Sequence, residues 1–192
     1  MTRILVVRLG SLGDVVHAMP AVAALGRQWP SADIDWLTAP VYTGLAGMLR
    51  GLRRVIPVNT RRMRGPDGVI PVVRALRAHH YDLVLDFQGL LKSAVLARLA
   101  GGRRTVGYAP PDLREPAAAL FYSDTVDVSG ATHIIDKGLA LAAGAGCGAT
   151  AARVDLDVPD VPEVRDVMGR NAPGGYALLN PGAAWPNKRW LP

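Results

Sequence analysis

The segment Arg8-Leu9-Gly10-Ser11-Leu12-Gly13-Asp14 carries the first groups able to do chemistry. Two glycines let the backbone turn tightly and approach a ligand, and Ser11 or Asp14 can cap the helix that follows. This is not a dinucleotide fingerprint: G-x-x-G followed by Asp lacks G-x-G-x-x-G, and a carboxylate here repels a pyrophosphate. It suits a different task, accepting a proton from a hydroxyl. Asp14 is therefore open to two readings, helix cap or general base. His17, one helical turn further on, is either its partner or a structural residue of the helix face.

Three more groups follow along the chain. Asn59-Thr60-Arg61-Arg62-Met63-Arg64 offers guanidinium forks, whose geometry matches phosphate and carboxylate bidentately. Asp86-Phe87-Gln88-Gly89-Leu90-Leu91-Lys92-Ser93 puts Gln88 in a loop and Lys92 in a first helical turn. A cation there opposes the helix dipole, so Lys92 is either tolerated or serves an anion; Asp86 reads equally as a structural cap. In the tail, Pro181-Gly182 turns, Ala183 and Ala184 leave room for a ligand, and Lys188 brings a charge suited to a leaving diphosphate. The bland alternative for the tail is a surface loop.

The elements that must position these groups are legible as a pattern. Ile4–Val7, Ile34–Leu37, Arg54–Val58, Leu83–Asp86 and Thr105–Gly107 read as strands. Val15–Gln28, Val69–Ala78, Leu90–Leu99 and Ala131–Ala143 read as helices, the first kinked or restarted at Pro20. Strands alternating with helices indicate a doubly wound, Rossmann-like α/β domain with a parallel sheet. Ligands of such sheets sit beyond the carboxyl ends of the strands, which selects the loops at 10–14, 59–64 and 87–92. The expected division is a domain over 1–150, a linker over 151–174 with a short helix at Glu163–Arg170, and the first strand and loop of a second domain over 175–192.

Composition narrows the class further. The 192 residues are 49% hydrophobic and 20% charged, the mix of a folded globular chain rather than a disordered one. The single cysteine, Cys147, excludes a disulfide framework and a Cys-based zinc site. There is neither a signal peptide pattern nor an apolar run of membrane-span length, so the expectation is a soluble cytoplasmic chain. The whole net charge of +6 lies in residues 1–149, and residues 50–77 carry eight arginines against one acid, Asp67. That patch is either an ordinary solvated surface or one that faces anions.

The stretches at 4–22, 56–64, 81–102, 113–122 and 178–190, in that order, resemble the lipopolysaccharide heptosyltransferases, glycosyltransferase family 9, especially the heptosyltransferase I type. The resemblance implies the N-terminal half of a GT-B enzyme, two Rossmann-like halves facing across a cleft, with most of the second half missing. It implies transfer of heptose from ADP-heptose to the Kdo-bearing lipid A precursor, inverting, without metal or cofactor. Asp14 is then the general base. Arg61, Arg62, Arg64, Lys92, Arg114 and Gln88 fall on the acceptor side; Gly13, Ala183, Ala184 and Lys188 fall on the donor side. Ala183 and Ala184 stand where some heptosyltransferase I relatives carry hydroxyl residues. A monomer working peripherally on the inner face of the inner membrane is expected. The competing reading is a non-catalytic module that binds an anionic glycolipid or phosphate. Nucleic acid is not expected as a partner, because the arginines lack interleaved aromatics and only 6% of residues are aromatic.

Overall fold

A computed structural model describes residues 2–63, 65–148, 153–171 and 182. Six strands, β1 (Arg3–Val7), β2 (Asp33–Thr38), β3 (Arg54–Pro57), β4 (Leu83–Asp86), β5 (Arg104–Tyr108) and β6 (Asp124–Val126), form one sheet in the order β3-β2-β1-β4-β5-β6. Every pairing is parallel. The helices are α1 (Leu12–Gln28), α2 (Thr43–Gly47), α3 (Pro66–Arg77), α4 (Leu91–Leu99), α5 (Ile134–Gly144) and α6 (Pro162–Asn171).

Strand β1 explains the layering. Its Ile4-Leu5-Val6-Val7 run is completely buried, as a strand covered on both faces must be. Because side chains alternate across a strand, Ile4 and Val6 join a core with Ile34, Trp36 and the α1 residues Val15, Val22 and Leu25. Leu5 and Val7 join the opposite core with Leu37, Val84, Leu76 of α3 and Leu96 of α4. Helices α1 and α5 therefore cover one face, and α3 and α4 the other. This is the doubly wound architecture expected from the sequence.

Two boundaries differ in ways that matter to the site. Helix α1 starts at Leu12, not Val15, because Ser11 caps it and Asp14 closes the cap; exposed Leu12 and Gly13 had hidden its first turn from the apolar periodicity. Pro20 neither ends nor restarts it. The buried face runs past Pro20 on both sides, from Val15 to Leu25, and that packing outweighs the local cost of the ring. The short elements α2 and β6 carry too few residues to show a period, and the sequence reading passed over them.

The chain divides into two compact units, Met1–Asp157 and Val158–Pro192. The first runs beyond the expected boundary at 150 because residues up to Asp157 return to it. Leu156 forms an antiparallel bridge with Leu49, the Arg50 N–H donates to Asp155 O at 3.0 Å, and the Asp157 N–H donates to Met48 O at 2.7 Å. In the second unit, helix α6 includes the expected Glu163–Arg170, and Arg165 pairs with Asp160. The expected strand over 175–180 lies outside the described residues.

Candidate active site

The carboxyl ends of β1, β3 and β4 bring three loops to one edge of the sheet. The first ends at Asp14, in the opening turn of α1. The Ser11 amide donates to Asp14 Oδ2 at 2.8 Å and the Ser11 hydroxyl at 3.1 Å. A carboxylate in the first turn is also favoured by the helix dipole. On its other oxygen, Oδ1, Asp14 meets Arg8 Nη2 at 2.8 Å. The Asp14 side chain remains 36% exposed while Arg8 is only 8% exposed, so a solute can reach the carboxylate but not the guanidinium behind it. Burial alone would push the Asp14 carboxyl up, but the Ser11 bonds and the Arg8 charge together hold it below its usual value.

Arg8 is a residue that the sequence reading missed as part of the site. It follows β1 directly, and its Nη1 donates to the Phe87 carbonyl in the loop after β4. Trp36 Nε1 donates to the Arg8 carbonyl at 3.3 Å, fixing its backbone from the β2 side. Arginine ending a buried strand was the available signal, since a charge there needs a partner.

Gln88 ties the first loop to the third. Its Oε1 accepts from the Leu9 amide at 3.1 Å and the Gly10 amide at 3.2 Å. Gly10 must be glycine: a Cβ there would sit 2.7 Å from a ring carbon of Tyr42. Gln88 is itself held by Asp86, which is fully buried. Asp86 Oδ1 accepts the Gln88 and Gly89 amides at 2.9 and 3.3 Å; Oδ2 accepts the Ser93 and Tyr122 hydroxyls, each at 2.8 Å. Burial pushes the Asp86 carboxyl up, and these four donors offset only part of that. Asp86 is thus a structural acid, in keeping with the cap role read from the sequence.

A cleft of about 330 Å³ is lined by Leu9, Gly10, Thr60, Gln88, Leu90, Lys92, Ser93 and Glu115, so Lys92 brings it a positive charge. Lys92 is exposed in the first turn of α4. The unfavourable end of the helix dipole is compensated by Glu115, whose Oε2 accepts the Leu91 amide at 2.7 Å. Glu115 is a second residue that the sequence reading missed. Asn59 Oδ1 accepts the Arg61 amide at 3.1 Å, shaping the turn that carries exposed Arg61 and Arg62. Among the described residues Arg61, Arg62, Lys92 and exposed Arg114 form no ion pair.

Gly13 is exposed in the first turn of α1, and a Cβ there would meet nothing within 4 Å. His17 lies behind Asp14, edge-on to His133 at 5.9 Å between ring centroids. The recess that Asp14 and His17 share with Arg8 and Tyr108 measures about 10 Å³, too small for a sugar, so Asp14 is approached from its exposed side. Arg64, Ala183, Ala184 and Lys188 lie outside the described residues.

A parallel sheet of this order, with polar loops gathered at its carboxyl edge, defines a Rossmann-like half of the GT-B glycosyltransferase type. The chain belongs to glycosyltransferase family 9 (heptosyltransferase), whose family model matches residues 69–192. It is 32% identical to lipopolysaccharide heptosyltransferase 1 of Pseudomonas aeruginosa, over 98% of this chain and 54% of that protein. The Escherichia coli K12 lipopolysaccharide heptosyltransferase 1 is 34% identical over 70% of this chain and 44% of its own length. Among solved structures, E. coli heptosyltransferase WaaC with ADP-2-deoxy-2-fluoro heptose superposes with a TM-score of 0.76 at 28% identity, over 99% of this chain and 62% of that one. WaaC with ADP gives a TM-score of 0.69 at 33% identity, over 81% and 50%. The chain spans about half the length of the relatives it matches.

Proposed function

We propose that residues 1–157 form the acceptor-binding half of a heptosyltransferase that moves heptose from ADP-heptose to the Kdo-bearing inner core of lipopolysaccharide. The observation that carries this reading is Asp14: an accessible carboxylate, kept ionised by Ser11 and Arg8, in the turn that follows Gly10, which lines a cleft together with Lys92. In the proposed step the acceptor hydroxyl oxygen bonds to the anomeric carbon as the bond from that carbon to ADP breaks. The hydroxyl proton passes to Asp14, and attack from the face opposite ADP inverts the centre. Arg61, Arg62, Arg64, Lys92 and Arg114 meet the acceptor's phosphates and carboxylates. Gly13, Ala183, Ala184 and Lys188 serve the donor, the Lys188 charge meeting the leaving diphosphate in place of a metal ion. Gln88 acts on the acceptor side by holding the Leu9–Gly10 backbone.

The test is ADP release and heptosyl transfer by an enzyme of full family length that carries this chain. Asp14→Asn keeps a side chain of the same size but removes the base. It should lower kcat about 10²–10⁴-fold while acceptor binding persists. Near-normal turnover in that variant would refute the base assignment. Acceptor binding with no transfer even by the unaltered full-length enzyme would instead favour a binding module.

A further inference from the structure

Behind Asp14 lies an imidazole that the proposed transfer does not use. His17, one turn further along α1, is half-buried, and with Arg8, Asp14 and Tyr108 it lines the recess of about 10 Å³. That volume has room for a single water molecule, and a buried water makes about three hydrogen bonds to polar neighbours. Arg8 offers the first. Its Nη1 and Nη2 are engaged by the Phe87 carbonyl and Asp14, but its Nε is buried and forms no hydrogen bond among the described residues. A buried N–H without an acceptor is costly, and a water in the recess removes that cost. Asp14, His17 and the Tyr108 hydroxyl are the other polar groups of its wall.

Two properties of Asp14 make such a water useful. An acceptor hydroxyl covers the exposed side of the carboxyl, so the recess is the way out for a proton taken up there. Against the upward push of burial, the Ser11 bonds and the Arg8 charge hold the carboxyl below its usual value, which makes it a weak base. An imidazole titrates near neutrality and is the better acceptor. Passing the proton on also restores the charge that Arg8, at 2.8 Å, requires. Next to His17, the exposed ring of His133 stands edge-on at 5.9 Å and accepts the Ile135 amide on Nδ1 at 3.2 Å. The other charged groups of α5 do not compete: Lys137 pairs with Asp112 at 3.4 Å, and Asp136 is exposed in the first turn.

We propose that one water molecule in this recess joins Asp14 to His17, and that His17 receives the acceptor's proton from Asp14 through it. The inference rests on Asp14 being the base. As the acceptor oxygen bonds to the anomeric carbon and the bond to ADP breaks, the hydroxyl proton moves to the Asp14 carboxylate. Asp14 gives a proton to the water, and the water gives one of its own to the unprotonated ring nitrogen of His17. Asp14 ends as a carboxylate, the water is unchanged, and the His17 imidazolium releases the proton to solvent.

Two measurements test it. Rotating-frame Overhauser spectra of the unaltered 192-residue chain should show a long-lived water beside the Arg8 Nε–H and the His17 ring protons; absence of those cross-peaks would overturn the proposal without any variant. In an enzyme of full family length that carries this chain, His17→Gln keeps a hydrogen-bonding side chain that cannot take up the proton. It should lower kcat about tenfold or more with KM for both substrates and the melting temperature unchanged. His17→Ala should lose as much, and added imidazole should restore part of the rate in proportion to its free base. Pyrazole, of the same shape but hardly basic, should restore none. Equal rescue by the two would make His17 a packing residue and overturn the proposal. Normal turnover in His17→Gln with Asp14→Asn inactive would overturn it while sparing the base assignment, and normal turnover in Asp14→Asn would overturn both.

Discussion

Arg8 and Asp14 form a unit in which each residue solves a problem created by the other. A guanidinium buried beside β1 needs a counter-charge, and Asp14 supplies it at 2.8 Å. The carboxylate, in return, is held ionised. Arg8→Met removes that charge while filling the same space, so the Asp14 pKa should rise. In an enzyme of full family length, the acid limb of the kcat/KM profile should then move to higher pH; an unmoved limb would show that another group sets it. Asp14→Ala removes the bond that closes the α1 cap and leaves Arg8 without its acid. It should lower the unfolding free energy by about 1–2 kcal/mol from the cap alone, measured by urea titration. Asp14→Asn keeps an acceptor for Ser11 and should lose less.

The elements hold the site through two buried acids at opposite ends of the sheet. At the carboxyl end, Asp86 binds the β4–α4 loop, which in turn binds the β1–α1 loop through Gln88. Asp86→Ala leaves two amides and two hydroxyls without their acceptor and should cost about 3 kcal/mol by urea unfolding. At the other end, Asp35 of β2 is completely buried and meets Arg53 at 2.7 Å, Arg54 at 2.8 Å and the Tyr81 hydroxyl at 2.6 Å. Burial pushes its carboxyl up, but Arg53, Tyr81 and Arg54 bring it below its ordinary value. Its stabilising contribution is therefore present above the ordinary carboxylate range and is lost as pH falls through the depressed pKa. Acid unfolding should be shallower in Asp35→Asn than in the wild type. The strands β1, β2 and β4 were legible because each is a short apolar run, and the loops after them located the edge that carries Asp14, Gln88 and Lys92. Arg8, Glu115 and the clamp formed by Gln88 were not legible. Their roles come from partners 6, 24 and 78–79 residues away in the chain, and periodicity reports only near neighbours.

At the scale of the molecule, the first unit ends where its last backbone bonds end, at Asp157. A chain cut after Asp157 should melt at the temperature of the whole first unit. A chain cut after residue 150 loses the Leu49–Leu156 bridge and should melt about 5 °C lower by circular dichroism. Family membership and fold hold for this unit as it stands, since relatives and solved structures match along nearly its whole length. The Asp14 cap has a consequence for how such a molecule changes over generations. Catalytic groups commonly burden their folds, and replacing them often makes a protein more robust. For Asp14 as the proposed base that antagonism is reversed, because the same carboxylate neutralises Arg8 and completes the first helix. A library selected only for thermal robustness, with no demand for turnover, should still retain aspartate at this position.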